Sequence, residues 1–214
     1  LKGCHYKGGF DCVAIYLRNN PESRFFSKKG LILGGSHSPS PLNSEAHQGD
    51  LSAVLLQNLN PLVNLIRVPK KPIILMDEWE SKIKAIVENT WNKDVNSLSG
   101  VPSWMLVLIK AVLKKTGREY LTDVWPNLEV FFHGGISFEP YREQYKTLIP
   151  SNKMHYMETY NASEGFFGLQ DDPTDSSLLM MPDYGIFYEF IPMNEVGNAH
   201  PTVLPLESVE TGKN

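Results

Sequence analysis

The sequence predicts an α/β fold, a mostly parallel sheet flanked by helices, with a short antiparallel strand pair near the C-terminus. Three observations carry that expectation. Helical apolar periodicities alternate with short β-prone runs through the middle of the chain. Two consecutive strand-like runs end in Gly134-Gly135 and in Tyr160-Asn161-Ala162-Ser163-Glu164, where open α/β sheets collect ligands. Proline and glycine then bracket the strongest helix, with Pro102 at its start and Gly117 past its end.

In chain order, residues 5–18 read as a helix with Phe10, Val13, Ala14 and Leu17 on one stripe, stopped by Asn19-Asn20-Pro21. Leu31-Ile32-Leu33 is a short buried-type strand between glycines. Residues 34–41 lack the Gly-Lys-Ser/Thr ending of a phosphate loop and run into prolines, so they read as a surface turn. Residues 50–60 form a second helix, with Leu51, Val54, Leu55 and Leu59 inward and Pro61 closing it. Residues 63–76 are irregular, broken at Pro69 and Pro72. Residues 77–91 form a helix with an Asp77/Glu80 capping box and a stripe of Trp79, Ile83, Ile86 and Val87.

The helix of residues 102–116 carries Lys110, Lys114 and Lys115 toward its C-terminal end, where the helix dipole favours cations. Its run from Trp104 to Ile109 is apolar nearly all round, which argues burial. Trp104 and Leu108 read either as plain core or as one wall of an acyl pocket. Residues 128–132 are a strand, residues 138–148 a helix and residues 154–159 the next strand. The chain is then expected to turn through Gly165 and Gly168 into a polar loop, residues 170–177. Residues 178–181 and 185–191 read as the final antiparallel pair, joined by Pro182-Asp183-Tyr184.

Composition excludes several classes. A formal net charge of −4 gives no electrostatic case for nucleic acid or an anionic membrane. No apolar run approaches the ~20 residues of a membrane span. Cys4 and Cys12 fall on one predicted helix about 12 Å apart along its axis, too far for a disulfide, and a reduced, cytoplasmic compartment follows. The chain opens on Leu1 and closes on a polar stretch, residues 207–214, so it reads as a fragment of a longer protein. Histidines at 5, 37, 47, 133, 155 and 200 form no zinc-type pair. His133-Gly134-Gly135 has the form of an esterase oxyanion loop, but no Gly-x-Ser-x-Gly elbow exists. No Gly-x-Gly-x-x-Gly supports a dinucleotide site either.

What survives is the pairing of the two strand ends. If they are neighbours, they open on one crevice. Glycine lets a flat base approach the backbone at Gly134 and Gly135. Tyr160 can stack on that base, Ser163 can reach a phosphate oxygen, and Glu164, a hard carboxylate, can hold Mg²⁺. From these residues alone an ordinary strand-to-loop turn with an exposed Glu stands beside nucleotide binding.

Trp125-Pro126-Asn127-Leu128, Leu148-Ile149-Pro150, the run from Tyr160 through Ser163-Glu164 to Gly168, and the run from Met181 to Pro192 together resemble the auxin-responsive family of acyl acid–amido synthetases. That family belongs to the acyl-adenylate-forming superfamily. The resemblance is firm over residues 100–192 and looser before them. His133-Gly134-Gly135 departs from the plant form and looks like that of bacterial relatives. The resemblance implies that MgATP adenylates a small carboxylic acid and that an amine, usually an amino acid, then takes the acyl group. It implies that Glu164 is the Mg²⁺ ligand and Ser163 a phosphate contact. It also implies that Tyr160, Asn161 and Ala162 line the nucleotide with Gly134 and Gly135. The whole chain, residues 1–214, would be part of the N-terminal adenylation domain. The family's phosphate loop would precede Leu1, and its ribose motif and C-terminal domain would follow Asn214. An acyl-CoA ligase-type enzyme and a non-catalytic nucleotide-binding module remain as alternatives.

Overall fold

In the computed structural model, residues 2–39, 47–210 and 212 are described. The first half gives α1 (Lys2–Asn19), β1 (Lys29–Leu33), β2 (His37–Pro39), β3 (His47–Gly49), α2 (Leu51–Gln57), β4 (Arg67–Val68), α3 (Lys71–Ile74) and α4 (Trp79–Thr90). The second half gives β5 (Val95–Gly100), α5 (Pro102–Thr116), β6 (Val130–Gly134), α6 (Arg142–Leu148), β7 (His155–Ala162), β8 (Gly165–Leu169), β9 (Leu179–Met180), β10 (Glu189–Phe190) and β11 (Leu204–Pro205). Seven strands form one sheet in the order β4-β1-β5-β6-β7-β8-β9. The strands from β4 to β7 pair parallel, while β8 and β9 join antiparallel. The α/β expectation is met.

Each face of the sheet buries its own core. On one face, Leu31 and Leu33 of β1, Leu98 of β5 and Phe131 of β6 pack beneath α4 and α5. Phe138 and Tyr145 complete that core from the α6 side. On the other face, Val130, Met157, Phe166 and Leu169 meet Cys12 and Tyr16 of α1. Alternate residues of β6, Phe131 against Val130 and Phe132, therefore feed opposite cores, as the pleat requires. Among the described residues no helix is long and apolar enough to cross a membrane.

Several expectations need correction. The inward face of α1 is His5, Gly8, Cys12 and Tyr16, and Phe10 is 70% exposed. The polar-looking residues win because the Tyr16 ring meets Phe25, Phe132 and His155 edge-on. The second helix ends at Gln57 and buries Ala53 and Leu56 rather than the predicted leucine stripe. The cap of α4 is Glu78, whose carboxylate accepts from the Glu80 and Ser81 amides, not Asp77. The irregular stretch contains the edge strand β4. The expected terminal pair is split: residues 179–180 pair with β8, and the short antiparallel pair near the C-terminus joins β10 to β11.

The turn after β1 is more than a surface loop. Gly34 and Gly35 are buried, and residues 37–39 pair with residues 47–49; residues 40 and 41 lie outside the described residues. Lys82, only 2% exposed, donates to the Gly34 and Gly35 carbonyls at 2.7 and 2.9 Å. Desolvation holds its ammonium below the usual lysine range, against a smaller opposing pull from Asp50. Lys82→Ala is expected to cost about 3 kcal/mol, because two buried carbonyls lose their donor and the stem leaves a void. Lys82→Met, which keeps the stem volume, is expected to cost less. Urea midpoints measure both, and a loss under about 0.5 kcal/mol for Lys82→Ala would remove the anchoring role.

Candidate functional site at the carboxyl edge of the sheet

The carboxyl ends of the four longer parallel strands form one continuous rim. A Cβ on Gly100, the last residue of β5, would lie 2.6 Å from the Leu33 carbonyl oxygen of β1. A Cβ on Gly135, after β6, would lie 3.6 Å from Val101 at the start of α5. The ends of β6 and β7 are direct neighbours: Gly134 aligns with Thr159, and the Thr159 hydroxyl donates to the His133 carbonyl at 3.1 Å. The condition set by the sequence, that the two strand ends are neighbours, is satisfied.

The glycines at this rim have backbone reasons of their own. A Cβ at Gly134 would sit 2.3 Å from the Thr159 carbonyl oxygen, so only glycine lets the strands lie this close. Gly135 has φ +82°, in the left-handed region that glycine enters freely. Gly134→Ala is therefore expected to destabilise by about 1–3 kcal/mol through overpacking against backbone. Thermal melts check it, and a melting temperature equal to wild type would mean that β6 and β7 part without cost.

The stretch from Tyr160 to Gly168 differs in form from the sequence expectation. It is a hairpin: β7 runs on through Ala162, Ser163 and Glu164 make the tip, and β8 returns from Gly165. Residues 165–169 are strand, so the polar loop begins only at residue 170. Ser163 and Glu164 are both exposed. Tyr160 is 57% exposed, with its ring centroid 5.0 Å from that of Phe167 at 32°. Asn161 and Ala162 are half-buried, next to a register shift that gives β8 one extra residue. Such bulges re-aim side chains beside functional sites.

The hairpin is braced by the segment after β9. Tyr188 sets its hydroxyl between the Phe167 and Met181 carbonyls at 3.5 and 3.4 Å. The Tyr184 hydroxyl donates to Asp11, and the Lys7 ammonium sits 4.1 Å from the Tyr184 ring centroid. The last resembling run, from Met181 onward, thus ties the hairpin to α1.

Trp104 and Leu108 lie one turn apart on α5. Leu108 is 1% exposed within the helix–sheet core, and Trp104 is half-buried against Trp79, ring centroids 5.6 Å apart. Among the described residues no three His, Cys, Asp or Glu side chains gather into a metal cage. A lone exposed carboxylate such as Glu164 suits Mg²⁺, which is held by one or two carboxylates together with substrate phosphates.

Comparison with known proteins decides the family. The profile of the GH3 family N-terminal domain matches residues 4–154. The chain belongs to the GH3 family. This is the auxin-responsive family of acyl acid amido synthetases that the motifs resemble. Among solved structures the GH3 chain is similar to one described as GH3.15 acyl acid amido synthetase, with TM-score 0.69 and 14% identity. That likeness spans 100% of this chain and 46% of the other, so the chain covers about half the length of that relative. At this identity it shows the fold. Comparison with curated proteins finds no match.

Sequence reasoning missed Lys82 and a cleft on the α6 face of β7 that Glu158 lines with Glu139 and Arg142. One signal was readable: Glu158 is a carboxylate in the middle of an otherwise buried-type strand.

Proposed function

We propose that this GH3 chain is part of an ATP-dependent ligase that adenylates a small carboxylic acid and passes the acyl group to an amine, an amino acid in particular. The observation that carries this reading is the rim itself: the Tyr160–Glu164 block and Gly134-Gly135 end neighbouring parallel strands in a chain of this family. The phosphate loop and ribose motif would come from chain before Leu1 and after Asn214, consistent with the 46% of the solved relative that is covered. A bacterial, cytoplasmic setting belongs to the same reading.

In the first step a carboxylate oxygen of the acid attacks the α-phosphorus of ATP, a P–O bond forms and pyrophosphate leaves. In the second the amine nitrogen attacks the acyl carbon, the bond from that carbon to the AMP phosphate oxygen breaks so that AMP leaves, and the nitrogen keeps one hydrogen in the amide while its other protons pass to solvent. Bound Mg²⁺ would neutralise phosphate charge in the first step. The chain's own residues position and stabilise. Tyr160 offers its exposed ring face to the adenine, and the half-buried backbone of Asn161 and Ala162 borders it together with Gly134 and Gly135. The Ser163 hydroxyl donates to a phosphate oxygen, and Glu164 holds the metal. The start of α5, which has no side-chain cap, opens at the same rim, and free helix amides there favour an anion. Trp104, backed by Leu108, is the proposed wall of the acyl pocket.

ATP–pyrophosphate exchange by the full-length protein, with Mg²⁺ and pooled carboxylic acids, tests the proposal. Exchange that depends on one acid is the expected result and names the substrate. A folded protein that binds ATP but exchanges with no acid would be a non-catalytic nucleotide-binding module. Residues 1–214 alone are expected to show no turnover.

A further inference from the structure

The hairpin that carries Ser163 and Glu164 overhangs the sheet. Strand β6 accompanies β7 only as far as Gly134 opposite Thr159, and β9 pairs with β8 only at Gly168 and Leu169. Past β9, the Met181 amide still reaches the Phe167 carbonyl at 2.9 Å. Residues 161–166 therefore project as two strands alone, with Asn161 opposite Phe166 and Ala162 opposite Gly165. A two-stranded ribbon is marginal in water by itself. A carboxylate that serves a metal has to be held to within about half an ångström. Something else must fix this tip.

Two close approaches seat it. A Cβ on Gly8, in the middle of α1, would lie 2.5 Å from the Phe166 ring, so that ring rests on bare helix backbone. A Cβ on Gly165 would lie 2.6 Å from Ile186. A glycine inside a helix costs about 0.5–1 kcal/mol relative to alanine, and Gly8 bears that cost where the ring lies. Phe166 is 4% exposed and two residues from Glu164, so its seat sets where the tip stands.

A polar clasp closes over the same contact. The buried Tyr184 ring packs on Phe166, centroids 5.8 Å apart. Its hydroxyl donates to the carboxylate of Asp11, one turn along α1 from Gly8. The Lys7 ammonium lies 3.0 Å from Asp11 and 3.5 Å from Asp183, and it also faces the Tyr184 ring. The Tyr184 hydroxyl, and after it Lys7, hold the Asp11 carboxyl below its ordinary range. Asp11 is therefore ionised at neutral pH, and the bond from Tyr184 is charge-assisted.

The helix at the other end of this clasp has its own place in the site. The phosphate loop is proposed to come from chain before Leu1, and α1 is the element that continues from it. The clasp thus fixes the hairpin tip against the helix that leads out of the phosphate segment. We propose that Asp11 and Tyr184 are positioning residues, which hold Ser163 and Glu164 at the separation from that segment where both sides grip the phosphates and metal of one nucleotide. This inference rests on the nucleotide-binding part of the ligase reading above. A shift of about 1 Å in such a grip costs up to about a hundredfold.

The test is calorimetric titration of the full-length protein, well below its melting temperature, with MgATP and with AMP, which keeps the base but lacks the metal-binding β- and γ-phosphates. Tyr184→Phe leaves the ring on Phe166 and removes only the hydroxyl, while Asp11→Ala removes its acceptor. Each is expected to weaken MgATP about tenfold and AMP less than about threefold. Asp11→Asn, whose amide oxygen still accepts the hydroxyl, is expected to stay within about threefold of wild type for MgATP. Wild-type affinity for MgATP in both Tyr184→Phe and Asp11→Ala overturns the proposal. Equal weakening of MgATP and AMP also overturns it, because that marks a contact that supports the fold and nothing more. Pyrophosphate exchange on the same preparations separates the two readings. Exchange by wild type, with variants that bind MgATP normally, keeps the ligase and removes the clasp. Wild type that binds MgATP without exchange, with variants that bind it about tenfold more weakly, keeps the clasp and removes the ligase.

Discussion

Glu164→Ala is expected to lower acid-dependent ATP–pyrophosphate exchange by about a hundredfold or more while leaving the fold intact. The activity loss follows from charge. A metal that neutralises a transferring phosphoryl group contributes several kcal/mol, and each 1.36 kcal/mol is a factor of about ten in rate. The unchanged fold follows from place. Glu164 is exposed at the hairpin tip and makes no hydrogen bond or ion pair among the described residues. Such a substitution shifts stability by about 0.5 kcal/mol at most, one or two degrees in melting temperature for a chain of this size. Glu164→Asp, which keeps the charge on a shorter stem, is expected to fall between the two and to recover partly at raised Mg²⁺. Exchange at the wild-type rate in Glu164→Ala would remove the metal role. A drop in melting temperature as large as that of Gly134→Ala would make Glu164 a structural residue instead.

The parts of this molecule that were legible in its sequence are those where one physical signal stood alone. Helix α5 runs from Pro102 to Thr116 as predicted, because Pro102 at its start and Gly117, with φ +65°, past its end leave no competing boundary. The expected disposition of β6 and β7 holds for the same reason: each is an apolar run ended by a distinct motif. Strand β5 was invisible because its Asn96 and Ser97 are buried, 1% and 3% exposed, with Asn96 donating to the Arg24 and Phe25 carbonyls. Composition reads such residues as loop, whereas tertiary hydrogen bonds make them core. The hairpin was mistaken for a turn because Gly165 and Gly168 look like turn residues. In the fold a Cβ on Gly165 would come within 2.6 Å of Ile186, and one on Gly168 within 3.2 Å of the Leu179 carbonyl oxygen, so both record close neighbours distant in sequence. The Arg142 cleft could not be read for a related reason. Its members come from β6, α6, β7 and the loop after β8, and only the register of β6 on β7 puts Glu158 beside His133.

That same pairing makes His133 the source of an acid sensitivity. The ring is stacked on Phe138 at 4.2 Å and packed near Phe131, facing Arg142, Tyr156 and Glu158 across the cleft. Burial, and secondarily the charge of Arg142, pull it from its ordinary 6.5 down to about 3. The folded chain therefore resists a proton that the unfolded chain accepts at about 6.5. Between those values the unfolded state binds more protons, so the stability His133 confers is fully present above 6.5 and is lost as the pH falls toward 3. With the slope limited to about 1.36 kcal/mol per pH unit, the step from pH 7.5 to 5 is expected to cost about 2 kcal/mol. Glu158 works in the opposite sense: its raised carboxyl pKa costs stability as the pH climbs above 4.5. A difference between proteins isolates the histidine. Urea midpoints at pH 7.5 and 5 are expected to show wild type losing about 2 kcal/mol more than His133→Phe, which keeps a stacked ring and cannot titrate. Equal losses would mean that the imidazole protonates freely, by turning into the open cleft where Glu139 and Glu158 could receive its charge. The acid step thus measures how firmly Phe138 holds the ring in place.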